Sequence, residues 1–153
     1  MGAILSTSGV TAWVKDLYEE AFHQNYIFPE DSDETVTFAA GGTNNVFGEW
    51  AEIVDNNSVT LSSKFNSSGH ISSIIVESTS VKDVIYIIEI AYGESKTIVC
   101  RARGISGTNQ ISHVSQERMR NFQIPSGETV YYRMKCETAS ATMVIHIRYH
   151  IHE

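Results

Sequence analysis

Two stretches of strict alternation constrain the fold of this chain more than anything else in it. In TMVIHIRYHIHE (142–153), Met143, Ile145, Ile147, Tyr149 and Ile151 fall on one side of an extended strand. Val144, His146, Arg148, His150 and His152 fall on the other. In ETVYYRMKCE (128–137), Val130, Tyr132, Met134 and Cys136 alternate with Tyr131, Arg133, Lys135 and Glu137. A period of two belongs to a strand with one face in a core, and a helix would scatter these residues around its axis.

Other segments repeat the theme between turn signals. TVTFAA (35–40) is a candidate first strand, stopped by GGTNN, and VFGEWAEIV (46–54) places Val46, Trp50 and Val54 on one face, with Trp50 as a core anchor. VTLSSKF (59–65) reads as a weak, polar strand and HISSIIVES (70–78) as a stronger one. VIYIIEIAYG (84–93) is the most apolar: Val84, Tyr86, Ile88, Ile90 and Tyr92 line one face, and Ile85, Ile87, Glu89 and Ala91 the other. Apolar residues on both faces predict a central or doubly covered strand. KTIVCRARGI (96–105) sets Ile98, Cys100 and Ala102 against Val99, Arg101 and Arg103, and residues 106–123 form a long polar connection without a period. About eight strands without interleaved helices predict an all-β fold, an antiparallel β-sandwich of jelly-roll type occupying residues 35–153.

Residues 1–34 read as an N-terminal arm. In TAWVKDLYEEAFHQ (11–24), Trp13, Val14, Leu17, Tyr18 and Phe22 recur at helical spacing opposite Lys15, Asp16, Glu19 and Glu20. The spacing predicts an amphipathic helix whose stripe packs on its own sheet or anchors a neighbouring subunit. PEDSDE (29–34) reads as an acidic, solvated linker.

The charge and the apolar pattern exclude several roles. The net charge of −7 opposes binding to phosphate backbones, so no nucleic-acid partner is expected. No apolar run is long enough for a membrane helix, and MGAILSTSGV lacks the features of a signal peptide. MGAILS fits the loose myristoylation pattern, and NNS (56–58) and NSS (66–68) match the glycosylation sequon; such short patterns recur by chance. Cys100 and Cys136 sit at apolar strand positions and read as reduced core thiols.

The histidines raise the one question of chemistry. His150 and His152 form an H-x-H pair on a strand, as in metal sites of cupins, themselves jelly rolls, and His146 shares their face. A metal set of His146, His150 and His152, with His113 as a distant further ligand, is therefore the minority alternative. Against it, Arg148 lies on the same face, the pair falls where chain ends fray, and no carboxylate follows at the cupin spacing. No nucleophile elbow, phosphate loop or paired catalytic carboxylates are present. The expectation is no catalytic residue, no cofactor and no enzyme activity, with a cupin-like metalloenzyme as the distant alternative.

The order FGEWAEIV, YIIEIAYGESKTIVCRAR and IPSGETVYYRMKCETASATMVIHIRYH resembles a module of tailed-bacteriophage virion proteins. Its carriers here are Gly48, Trp50, Glu52 and Ile53; Ile88, Ile90 and Gly93; and Ile124, Pro125, Gly127, Val130 and Arg133. The resemblance spans about residues 35–153. It implies a β-sandwich of head decoration (cement), head-fibre or receptor-binding proteins, and it carries no catalytic residues.

Together these readings predict a stand-alone structural virion protein, a capsid decoration or cement protein made in the host cytoplasm and carried on the capsid surface. Its expected partners are the major capsid protein or other virion subunits, and it is expected to form a homo-oligomer, taken as a trimer. Its interface residues would be Trp13, Val14, Leu17, Tyr18 and Phe22 of the arm, with Tyr131 and Arg133 of the outward strand face. The alternative is a receptor- or glycan-binding module of a phage tail or head fibre.

Overall fold

The computed structural model describes residues 10–14, 25–107, 113–115 and 123–152, with side chains for all of these but 113–115. Nine strands are present among them: β1 (Asn25–Phe28), β2 (Val36–Ala39), β3 (Ala51–Glu52), β4 (Gly69–Thr79), β5 (Ile85–Tyr92), β6 (Thr97–Ile105), β7 (His113–Ser115), β8 (Val130–Cys136) and β9 (Thr142–Ile151). They make two antiparallel sheets. In sheet A the order is β1-β9-β4-β7, with β2 also paired to β9; in sheet B it is β3-β8-β5-β6.

This is jelly-roll wrapping. With β1 and β2 taken as one interrupted strand, the first strand lies beside the last, the second beside the next to last, and so on inward, while the chain crosses between the sheets. The predicted class is therefore the observed one. Alternation explains why: Ile145, Ile147 and Tyr149 of β9 and Val130, Met134 and Cys136 of β8 are all buried. The core lies between the sheets, with Phe28, Phe38 and Ile74 from one side meeting Ile88, Ile90 and Met134 from the other. Phe38 of β2 stacks on Tyr132 of β8 with ring centroids 3.8 Å apart. β5 is central in sheet B, and Ala91 on its outer face is buried as well.

Several expectations need correction. Of 46–54 only Ala51–Glu52 is strand, and Val46 and Val54 are exposed; the buried residue there is Ile53. Residues 59–65 form no strand. Leu61–Lys64 is a 3-10 turn capped by Thr60, whose hydroxyl accepts from Ser63 N. Val99 is buried beside Cys100, against the expected alternation, because the β5–β6 ladder shifts register between Ile90 and Ala91. A bulge there re-aims the extra side chain.

The connection 106–123 contains β7, which pairs with β4. The expected arm also contributes to the sandwich: β1 pairs with β9, and Phe28 is fully buried. The acidic linker is tied down, with Glu30 bridging to Lys64 at 2.9 Å and Thr35 N donating to Asn56 Oδ1. Residues 10–14 are helical, as the apolar stripe predicts, and the remainder of 11–24 lies outside the described residues. No helix among the described residues is long and apolar enough to cross a membrane.

Candidate functional site

Among the described residues, the outer face of sheet B carries a cluster of charged side chains. Glu89 of β5 is in register with Arg101 on β6 and Arg133 on β8, so the fold places one arginine on each side of it. Arg101 Nε donates to Glu89 Oε1 at 2.6 Å, and Arg133 Nε to Oε2 at 2.7 Å. A second guanidinium nitrogen of each arginine closes on the same oxygen. The Glu89 side chain is 1% exposed. Burial alone would raise its pKa; the hydrogen bonds from Arg133 and Arg101, and then their charges, outweigh burial and hold it below the ordinary value.

Arg133 continues outward from this clamp. Its guanidinium lies 4.5 Å from the ring centroids of both Phe47 and Trp50. Lys135 Nζ lies 4.9 Å from the Phe47 ring, and Lys96 Nζ sits 3.4 Å from that of Tyr131. Trp50 is thus not the core anchor expected from sequence; it is half-buried against a cation on the outer face. The segment 41–48 is held along β8 by Asn45 N donating to Cys136 O and Gly48 N to Met134 O. That run places Phe47 over the strand. The result is a band of cations and aromatic rings on a chain whose net charge is −7.

The predicted interface residues divide. Tyr131 and Arg133 both belong to this band, and each is engaged within the chain. Trp13 and Val14 are 63% and 52% exposed. Leu17, Tyr18 and Phe22 lie outside the described residues. Cys100 and Cys136 are buried free thiols, and burial pushes the Cys100 thiol up to about 12.

The histidines are arranged otherwise than the minority set supposed. His146 Nδ1 pairs with Glu77 Oε1 at 2.6 Å, four residues along β9 from His150. In its place His70 of β4 faces His150 directly across the ladder and meets both His150 and His152. His113 falls on β7 in register with Ile75. The backbone at the H-x-H pair is hydrogen-bonded: His152 N donates to Ser68 O at 2.7 Å, and Ser67 Oγ donates to His152 O.

Two of these features escaped the sequence reading. His70 joins the pair only through the β4–β9 register, which local pattern does not contain. The Glu89 clamp did leave a signal: one acid on the most apolar strand, with arginines at outward positions of the strands that flank it.

No protein-family model matches the chain, and no curated protein matches it in sequence. Among solved structures, it is similar to a chain of infectious bursal disease virus, Gt strain, with 13% identity and a TM-score of 0.44. It is also similar to a chain of the infectious bursal disease virus VP2 subviral particle, with 16% identity and a TM-score of 0.44. Each match covers 86% of this chain and 33% of the other, so the chain spans about a third of the length of those it matches.

Proposed function

We propose that this protein is a structural component of a virion, a decoration or cement protein on the head of a tailed phage. The observation that carries the reading is the apolar pair Trp13 and Val14, left largely uncovered on a helical segment. Burying such a stripe on a shell neighbour removes apolar area from water at about 25 cal/mol per Å². Display in several copies then multiplies a modest contact, and a trimer is the assembly we favour.

The jelly-roll wrapping and the phage-module resemblance support this reading by analogy of fold and pattern. Jelly rolls serve viral shells and lectins alike. The aromatic rings of sheet B favour a protein contact over a sugar platform: Phe47, Trp50 and Tyr131 have cations against their rings, where a saccharide would need open faces. On this reading the protein is not an enzyme, its partner is the major capsid protein, and its place is the capsid surface.

The test is genetic. Phage lacking this protein should still assemble heads, and those heads should release DNA at a lower temperature than wild type. Heads of unchanged heat resistance, together with lost adsorption to the host, would favour the receptor-binding role instead.

A further inference from the structure

The outer face of sheet A gathers three imidazoles at one end of the β4–β9 ladder. His70, one residue into β4, is the direct cross-strand partner of His150, and His152 follows two residues later on the same face of the chain. The ring centroids are 4.9 Å apart for His70 and His150, 4.7 Å for His70 and His152, and 5.3 Å for His150 and His152. One nitrogen of each ring lies within 4.8 Å of the other two. His70 is 4% exposed, and its two partners are half-buried.

We propose that His70, His150 and His152 form a binding site for one divalent transition-metal ion of the zinc class. Ligand chemistry, geometry and rigidity all favour such an ion. The first is ligand chemistry: unperturbed imidazole is largely neutral above about pH 6.5, and neutral imidazole is the preferred nitrogen ligand of zinc, copper and nickel. The set has no oxygen ligand, which disfavours calcium and magnesium.

The second is geometry. A tetrahedral zinc with bonds of about 2.0–2.1 Å needs its nitrogens roughly 3.3 Å apart. The widest pair must therefore close by about 1.5 Å at most, a distance that side-chain torsions cover without moving the strands. The third is rigidity. The His152 backbone is fixed to Ser67 and Ser68, and the entry to β4 is fixed by paired bonds between Gly69 and Ile124, 3.0 and 2.8 Å long. Sites on paired strands hold their ligands better than sites on loops.

Three histidines occupy three corners of the tetrahedron and leave the fourth for water or a ligand from a neighbouring subunit. The bound ion ties His150 of β9 and His152, just past the strand, to His70 near the start of β4 and closes that end of sheet A. Arg148 lies two residues from His150 on the same face of β9, exposed and in register with Ser73. Its charge weakens cation binding, and replacing it should tighten the site.

The experiment uses untagged full-length protein, stripped with chelator and titrated with Zn²⁺ alone at pH 7.5. The proposal predicts one ion per chain with a Kd near or below about 1 µM. A hundredfold excess of free ion over Kd should raise Tm by roughly 5–10 °C. Co²⁺ in place of Zn²⁺ should give the visible absorption of a tetrahedral centre. His152→Ala, at the strand end and checkable for folding by circular dichroism, should abolish all three signals, as should His70→Ala. His146→Ala should retain them, because His146 is engaged with Glu77. Absence of stoichiometric binding, binding that survives His152→Ala, or loss of binding in His146→Ala would overturn the assignment.

Discussion

Arg133 and Glu89 sit in register on neighbouring strands, and the arginine closes over a carboxylate that is 1% exposed. With Arg101 on the other side, the carboxylate neutralises part of a basic band and draws three strands of sheet B together. Arg133→Ala removes two charge-assisted bonds and uncovers Glu89. It should cost about 1.5–3 kcal/mol of stability, read from the urea midpoint. Arg133→Lys should recover little of this, since a point charge cannot reproduce the guanidinium's several donors or its stacking on Phe47 and Trp50.

The same clamp sets a pH dependence. Burial raises the Glu89 pKa, but the hydrogen bonds and charges of Arg133 and Arg101 lower it further, and the net value lies below the ordinary 4.5. The stabilisation is therefore complete above pH 4.5 and is lost as pH falls through the lower folded value. Wild type and Glu89→Gln should differ in Tm at pH 7, and the gap should narrow toward pH 3. A gap that stays constant would remove Glu89 from the acid response.

Gly69 opens β4 and pairs with Ile151 at the end of the β4–β9 ladder. A Cβ there would overlap the carbonyl oxygen of His150 and come within 2.9 Å of Phe65 Cε1. Gly69→Ala should destabilise the domain by about 1–3 kcal/mol and should also disturb the spacing of His70 and His150. Thermal unfolding checks the first effect and Zn²⁺ titration the second.

Tyr86 closes a loop through its hydroxyl, which donates to Val81 O at 2.8 Å and accepts from Val81 N at 3.2 Å. Burial is the main cause of its raised pKa. Tyr86→Phe leaves Val81 N without its acceptor, while Val81 O keeps the Ser106 hydroxyl at 3.0 Å, and should cost about 1–3 kcal/mol. An unchanged denaturation midpoint would show that water replaces the hydroxyl.

Cys100 and Cys136 should be inert in the folded protein. Both are buried, which shields them from reagent, and burial pushes the Cys100 thiol up to about 12, so Cys100 holds little thiolate. A thiol reagent at pH 8 should titrate neither cysteine in the native state and both in denaturant. Rapid native labelling would mean that sheet B opens readily.

What was legible in the sequence was the part that repeats locally. Alternation in 128–137 and 142–153 identified the core faces of β8 and β9, and through them the sandwich. VFGEWAEIV alternates without being one strand, because its first part follows β8 and turns Trp50 toward Arg133. β1 and β7, of four and three residues, are too short to show a period. The histidine site needed His70, which stands eighty residues from His150 and becomes its neighbour only through strand register.

On the proposed reading, the N-terminal arm fastens a jelly-roll domain to a shell. Because β1 begins at Asn25 and belongs to sheet A, the informative truncation removes residues 1–24 and keeps all nine described strands. Purified full-length and truncated proteins should be mixed with heads of a phage lacking this protein and sedimented together. The 153-residue protein should bind saturably, while the truncated protein melts normally and stays in the supernatant. Equal binding of both, or no binding of either, would contradict it.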